Sequence, residues 1–293
     1  MAVTYRRLLT ALVAATLAPI AAVVYAQQQA QDPNWRPRIW VGGYGGWRRS
    51  PPKWATRDNF DGSWTFCRGF YWSDRREDGG SGWDTDFPGA DNNFSVRLAE
   101  LTDVRIKLDS HGQPDYVVVR LDDPLLFRCP MLHLEDAGTA RFTDSEVDGL
   151  RAYLLKGGFV TVDDYWGTRA WDQFAEEIGK VLPPERYPIV DLPIDHPILH
   201  TLYDVKYVEQ VSSINFWSRS GGSVSERAYI NDSPHVNFRG ILDETGRVMV
   251  VMAHNTDLPD TWEREGENKE YFDRFSPNGY AVGVNVALYA LTH

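Results

Sequence analysis

Short apolar runs alternate with helically spaced apolar residues from residue 60 to the end of the chain. The short runs predict strands at 64–71, 104–108, 116–121, 131–134, 159–162 and 189–192, and a hairpin over 240–251. Helical spacing predicts helices over 94–101, after Thr143, over 171–181 and over 277–291. Such alternation predicts an α/β fold with a mostly parallel sheet and helices on both faces.

Local capping signals predict where two of these helices begin or end. Thr143 and Glu146 have the spacing of a capping box, and the pair Gly157 and Gly158 is typical of the end of that helix. Pro277 follows Ser276 and predicts the first turn of the last helix.

The first 26 residues have the three parts of an export signal. Arg6 and Arg7 precede an apolar run over 8–24, and small residues Val24 and Ala26 fit a cleavage site. We therefore expect a signal peptide over 1–26 and a periplasmic or secreted protein. Membrane attachment is expected only if this segment stays uncleaved. Residues 27–59, rich in Gly, Pro, Arg and Trp, predict a tether before an α/β domain over 60–293.

Charge and cysteine content narrow the class of protein further. The formal net charge of −11 disfavours binding of a polyanion, so nucleic acid is not an expected partner. Cys67 and Cys129 would be able to form a disulfide after export. Both lie in or beside predicted core strands, a position that favours two buried thiols over a bridge.

In open α/β sheets, ligands bind beyond the carboxyl ends of the strands. Candidate ligand-binding residues therefore come from the strand ends and the loops beside them. They are Trp83, Asp84, Asp86, Glu135, Asp136, Asp163, Asp164, Trp166, His254, Asn255 and Asp257.

Asp163, Asp164 and His254 are also the candidates for catalysis. Two carboxylates with divergent pKa values would serve acid/base chemistry, and carboxylates with His254 would suit a divalent cation. Neither arrangement has diagnostic spacing, so no cofactor is expected and a divalent metal is the alternative. Aspartates after a strand also cap the next helix, and this interpretation of Asp163 and Asp164 is equally open. His196 and His200 are four residues apart, but Asp195 and Pro197 favour a helix start over a metal site.

Several motifs resemble a bacterial family known as domain of unknown function 4159. They are GWDTDFP (82–88), DNNF (91–94), ELT (100–102), LDDP (121–124), GGFVTVDD (157–164), LPIDHPI (192–198) and HNTD (254–257). The resemblance runs from about residue 60 to the end. It implies a class I glutamine amidotransferase-like fold, a flavodoxin-like three-layer sandwich. The strand from Gly246 to His254 is similar to one in ThuA-like proteins.

The resemblance does not extend to amidotransferase catalysis. Catalytic members of that superfamily carry a nucleophilic Cys in a tight glycine-flanked turn, and Asp163 and Asp164 occupy that place here. Glutamine hydrolysis through a thioester needs the thiolate, so that activity is not expected. The favoured hypothesis is a non-catalytic domain that binds a small molecule, a glycan or an envelope protein at the strand ends. The alternative is an envelope hydrolase that uses Asp163, Asp164 and His254 as acid/base or metal-binding groups.

Overall fold

The computed structural model describes residues 51–76, 80 and 82–293. The predicted signal peptide and residues 27–50 of the predicted tether lie outside this part. Within it, Lys53–Ala55 lies beside the edge of the sheet: the Ala55 amide donates to the Val118 carbonyl at 2.9 Å, and the Val118 amide donates to Lys53 at 2.7 Å.

Strands rich in β-branched and aromatic residues form the centre of the fold. They are β1 (Phe66–Phe70), β2 (Trp72–Ser73), β3 (Tyr116–Arg120), β4 (Leu132–Glu135), β5 (Ala140–Arg141), β6 (Val160–Asp163), β7 (Ile189–Asp191), β8 (Asn237–Leu242) and β9 (Val248–His254). The main sheet has seven strands in the order β3-β1-β4-β6-β9-β8-β7. All neighbours from β3 to β9 are parallel, and β8 is antiparallel to both β9 and β7.

Helices cover both faces of this sheet. They are α1 (Gly89–Leu101), α2 (Asp144–Leu155), α3 (Gly167–Val181), α4 (Ile214–Ser220), α5 (Asp260–Glu263) and α6 (Lys269–Thr292). One hydrophobic cluster joins the sheet to α2 and α3, and a second joins it to α1 and α6. The predicted α/β class with a mostly parallel sheet is thereby confirmed.

Two capping predictions were tested by the helix ends. Thr143 and Glu146 form the predicted capping box at the start of α2. A 3₁₀ helix over Pro197–Leu199 begins where a helix start was expected, and the His196 ring nitrogen accepts the Ile198 amide at 3.2 Å. The structural interpretation of His196 is therefore confirmed, with His196 instead of Asp195 as the capping side chain.

The predicted start of the last helix was wrong. Helix α6 begins at Lys269, and Pro277 lies inside it. The extra turns are stabilised because the Asn268 side chain accepts the Tyr271 amide at 3.0 Å, and because Tyr271 and Phe275 are buried in a small cluster with α4. This burial offsets the backbone hydrogen bond that the proline removes.

The strand predicted at 104–108 was also wrong. Ile106 and Leu108 form only isolated bridges, with Trp64 and Pro114. From Phe66 onwards β1 pairs with β3, so the segment 104–108 has no longer stretch of strand to pair with.

The two cysteines form a disulfide, so the expectation of two buried thiols was wrong. Cys67 lies opposite Leu132 across the β1–β4 ladder, and Cys129 is three residues before Leu132 in the chain. The two Cα atoms are therefore 5.8 Å apart, within bridging distance.

In the part of the chain that the structure describes, no helix combines the length and apolar character needed to cross a membrane.

Candidate functional site

Polar side chains occupy one face of the central strands. Side chains alternate between the faces of a strand, so His133 and Glu135 share one face of β4 while Leu132 and Leu134 pack on the other. His133 Nδ1 lies 2.8 Å from the Thr161 hydroxyl, and Nε2 lies 2.7 Å from the Glu135 carboxylate. A polar network therefore crosses the middle of the sheet.

Arg68 on β1 continues this network. Its side chain is fully buried, and its Nε lies 3.0 and 3.1 Å from the two carboxylate oxygens of Asp91 in α1. It also donates to the carbonyl oxygens of Trp83 and Thr85 at 3.2 and 2.8 Å, which holds the loop before α1 against the sheet. Burial alone would lower the pKa of Arg68, but the charges of Asp91 and Glu135 outweigh burial and raise it.

Three acidic residues converge beyond the strand ends. Asp86 lies in the loop before α1, Glu135 ends β4, and Asp257 follows β9. One carboxylate oxygen of each lies within 4.8 Å of the others, a group that we call the acidic centre. Glu135 and Asp257 are buried, and Asp86 is partly exposed. All three are among the predicted ligand-binding residues, and the structure brings them together.

Two oxygens in the acidic centre are shielded from solvent and accept no hydrogen bond within the described structure. They are Oδ2 of Asp86 and Oε1 of Glu135. Leaving a buried polar atom unpaired costs about 1–3 kcal/mol, and more for a charged group. The other Glu135 oxygen accepts from His133 at 2.7 Å and from Arg68 at 3.4 Å. The two unpaired oxygens are therefore the part of the centre that the fold itself leaves unsatisfied.

Burial and the charges of neighbouring carboxylates raise the pKa values of Asp86 and Asp257. Burial is the largest cause for Asp86, followed by the charges of Glu263 and Asp260. Burial is also the largest cause for Asp257, followed by the charges of Asp164 and Asp86. The ionised form is therefore disfavoured unless a positive charge joins the group.

A second acidic group shares Asp86 but has an internal cation. Oxygens of Asp86, Asp260 and Glu263 lie within 4.8 Å of one another. Arg264 Nε lies 2.6 Å from Glu263 and 3.7 Å from Asp260, and the Ile214 amide donates to Asp260. Arg264 therefore offsets part of the negative charge of this group. In the acidic centre, the nearest cation among the described residues is Arg68, whose Nη1 lies 3.4 Å from Glu135 Oε2 and whose main partner is Asp91.

The carboxylates of Asp163 and Asp164 both accept hydrogen bonds from the protein. Asp163 Oδ1 accepts the amides of Asp164 and Leu258, both at 2.9 Å, and so ties the end of β6 to the loop after β9. Asp164 Oδ1 accepts the indole N–H of Trp166 at 2.9 Å. Burial raises the pKa of both carboxyls, with the charge of Glu135 next for Asp163 and that of Glu226 next for Asp164.

His254 and Asn255 also have their polar atoms paired. The His254 ring lies between Tyr165 and Trp171, at 5.0 and 5.3 Å, with its Nε2 3.0 Å from the Gly167 carbonyl and its Nδ1 3.1 Å from an Asn237 side-chain nitrogen. Burial lowers the pKa of His254 to about 4. The Asn255 side chain accepts the Gly167 amide at 2.8 Å and donates to the His235 carbonyl at 2.9 Å.

The remaining predicted residues surround the same edge. The Trp83 ring lies 5.5 Å from Phe70, and Trp166 is buried. Asp84 lies in a turn where its carbonyl oxygen accepts the Phe87 amide at 3.4 Å. The Asp136 carboxylate accepts the Gly82 amide at 2.6 Å and so fastens the loop that leads to Asp86.

Sequence reasoning missed five polar residues around the acidic centre, all of them buried except Glu263: Arg68, Asp91, His133, Asp260 and Glu263. Two signals were present in the sequence. An arginine stands in the middle of an apolar strand, and His133 and Glu135 alternate with leucines on another. A charged residue in such a position is buried only with a partner.

These features define an α/β protein with a carboxylate-lined centre at the carboxyl edge of its parallel sheet. The family described as domain of unknown function (DUF4159) has a model that matches residues 75–291, and the chain belongs to this family. No curated protein matches the chain.

Proposed function

We propose that this domain is a non-catalytic binding protein whose acidic centre, Asp86, Glu135 and Asp257, holds a divalent cation. The observation that carries the proposal is the pair of shielded, unpaired oxygens in a cluster whose oxygens lie within 4.8 Å. Three carboxylates are ligands for a hard cation such as Mg²⁺, Ca²⁺ or Mn²⁺. Water or an oxygen-bearing ligand would complete its coordination, because these cations take about six or more ligands.

The position of the centre in the sheet supports a binding role. The five parallel strands, numbered along the chain, follow the order second-first-third-fourth-fifth, which is that of flavodoxin-like folds. In such folds the ligand crevice lies where the order reverses, between the first strand and the third. Here these strands are β1 and β4, and Glu135 ends β4. We therefore propose that the fold is flavodoxin-like and amidotransferase-like. We also propose that a small molecule, a glycan or an envelope protein binds in the crevice between β1 and β4.

The hydrolase alternative has less support. Asp163 uses one oxygen for two backbone amides, and both ring nitrogens of His254 are paired. These contacts hold Asp163 and His254 against the protein's own groups, whereas a general base must lie within hydrogen-bond reach of a substrate proton. Export remains part of the proposal, and the Cys67–Cys129 disulfide supports it because such bonds persist in oxidising compartments.

Calorimetric titration of the chelator-treated full chain with Ca²⁺, Mg²⁺ and Mn²⁺ tests the proposal. At least one cation should bind and raise the melting temperature. Asp86→Asn should abolish that binding and make the cation-free protein more stable than the wild type, because it removes a repelling charge. Asn suits the left-handed backbone of Asp86, whose φ is 59°. Affinity should rise with pH, because the ligands bind as carboxylates.

Asp195→Asn is the matched control. It removes one exposed carboxylate outside the acidic centre and should leave cation binding unchanged. Absence of binding by all three cations, or equal binding by Asp86→Asn and the wild type, would overturn the proposal.

A further inference from the structure

A cavity of about 370 Å³ lies away from the acidic centre. Its walls come from the turn before β1 and from the 3₁₀ helix between β3 and β4. The lining residues are Arg57, Phe60, Pro124, Leu125 and Arg128. This volume falls within the range of about 300–1,000 Å³ that is usual for ligand pockets.

The cavity concentrates positive charge in an acidic chain. Within the described residues, neither Arg57 nor Arg128 forms an ion pair, and no carboxylate lines the cavity. Arg57 and Arg128 both line this single cavity and so offer two guanidinium groups to an external anion.

Both walls are anchored to the core. Arg128 immediately precedes Cys129, which is bonded to Cys67 of β1, and the neighbouring Leu126 is fully buried. The Asn59 side chain, next to Phe60, donates to Asp115 at 2.9 Å. Little backbone ordering is therefore needed when a ligand enters, which favours binding.

We propose that this cavity binds a small phosphate monoester. Two guanidinium groups match the charge of a phosphate monoester, about −1.5 to −2 at pH 7, and their planar forks match its oxygens. The ring of Phe60 and the side chains of Pro124 and Leu125 would contact the organic part. A carboxylate with the same organic group would satisfy only one of the two positive charges.

Titration of the full chain with phenyl phosphate at low ionic strength tests the proposal, with benzoate and inorganic phosphate as comparison ligands. Phenyl phosphate should bind more tightly than either, and its affinity should fall with added salt. Arg57→Gln and Arg128→Gln should each weaken binding about tenfold or more, the loss expected for a charged hydrogen bond.

Arg186→Gln is the matched control, because it removes an exposed arginine outside the cavity. It should leave phenyl phosphate binding unchanged, and Asp86→Asn should do the same. Circular dichroism will show whether each variant is folded. Equal binding by the folded Arg57→Gln/Arg128→Gln double variant and the wild type would overturn the proposal, and so would benzoate binding as tight as that of phenyl phosphate.

Discussion

At the scale of single residues, substitution of Arg68 should strongly reduce the stability of the protein. It is fully buried and holds Asp91, Glu135 and two loop carbonyls. Arg68→Met should lower the free energy of unfolding by about 3–5 kcal/mol, because it leaves buried carboxylates without their cation. Urea denaturation at pH 7 measures this loss.

The double variant Arg68→Met/Asp91→Asn separates the charge effect from lost packing. It should be more stable than Arg68→Met alone, since the main unpaired carboxylate is gone. Arg186→Met, at an exposed ion pair, should leave the urea midpoint unchanged. An Arg68→Met variant as stable as the Arg186→Met variant would contradict the prediction.

His254 should give the protein a distinct dependence on pH. Burial lowers its pKa from 6.5 to about 4 in the folded state. Between these values the unfolded chain binds a proton that the folded chain does not. The stability linked to His254 is therefore complete above pH 6.5 and is lost as the pH falls towards 4, by about 3 kcal/mol.

The buried carboxylates have the opposite effect on stability at low pH. The contribution of His254 must therefore be measured as a difference between the wild type and a variant. The raised pKa of Asp257 gives stability at low pH that is lost as the pH rises through its folded pKa. The gap in unfolding free energy between wild type and His254→Asn should shrink by about 3 kcal/mol from pH 7.5 to pH 4. His111→Asn, which replaces an exposed histidine, is the control substitution. A constant gap for His254→Asn would show that its proton is not linked to folding.

The acidic centre shows how far residue types alone can predict a site. Glu135 follows from the rule that parallel strands place their carboxyl ends at one edge, and Asp86 and Asp257 follow from the loops beside that edge. The pairing of Asp163 with two amides does not follow from it, because that depends on where the loop after β9 lies. The sequence thus predicts which carboxylates gather, and tertiary contacts decide which of them stay unpaired.

At the scale of elements, two helical glycines should respond to alanine with opposite sign. A Cβ on Gly149 in α2 would clash with the Leu121 carbonyl oxygen and lie 2.8 Å from Asp122 Cα, both of them backbone atoms. A Cβ on Gly179 in α3 would meet only Pro184, at 3.9 Å. Gly149→Ala should therefore push α2 away from the sheet and destabilise the protein.

Gly179→Ala should stabilise the protein by about 0.5–1 kcal/mol, because alanine restricts the unfolded chain and favours the helix. Urea denaturation of the two variants and the wild type measures whether each substitution raises or lowers the free energy of unfolding. Stabilisation by Gly149→Ala would mean that α2 packs less closely than the structure indicates.

Elements with their own local signals could be predicted, and elements that depend on distant partners could not. Helix α2 has a capping box and a glycine end, and its start was predicted correctly. The first turns of α6 depend on burial of Tyr271 and Phe275 against α4, a contact that no local pattern contains. The segment 104–108 has strand composition, yet its neighbour β1 already pairs with β3.

At the scale of the whole molecule, the disulfide links the first strand of the sheet to the segment before β4. Its cysteines are 62 residues apart, so it closes a long loop in the unfolded chain. Closing a loop of this length stabilises the folded state by about 4 kcal/mol in the chain-entropy model. Reduction should lower the free energy of unfolding by about this amount while the sheet persists at low urea.

The comparison is between urea denaturation of the oxidised and the reduced chain, with mass spectrometry to confirm the state of both cysteines. The Cys67→Ala/Cys129→Ala variant should show no response to reductant, which separates the bond from other effects of the reagent. The same reduction should weaken phenyl phosphate binding more than cation binding, because Arg128 adjoins Cys129 and the acidic centre does not. Equal stability of the oxidised and reduced chains would show that β1 and the segment before β4 are held together by packing alone.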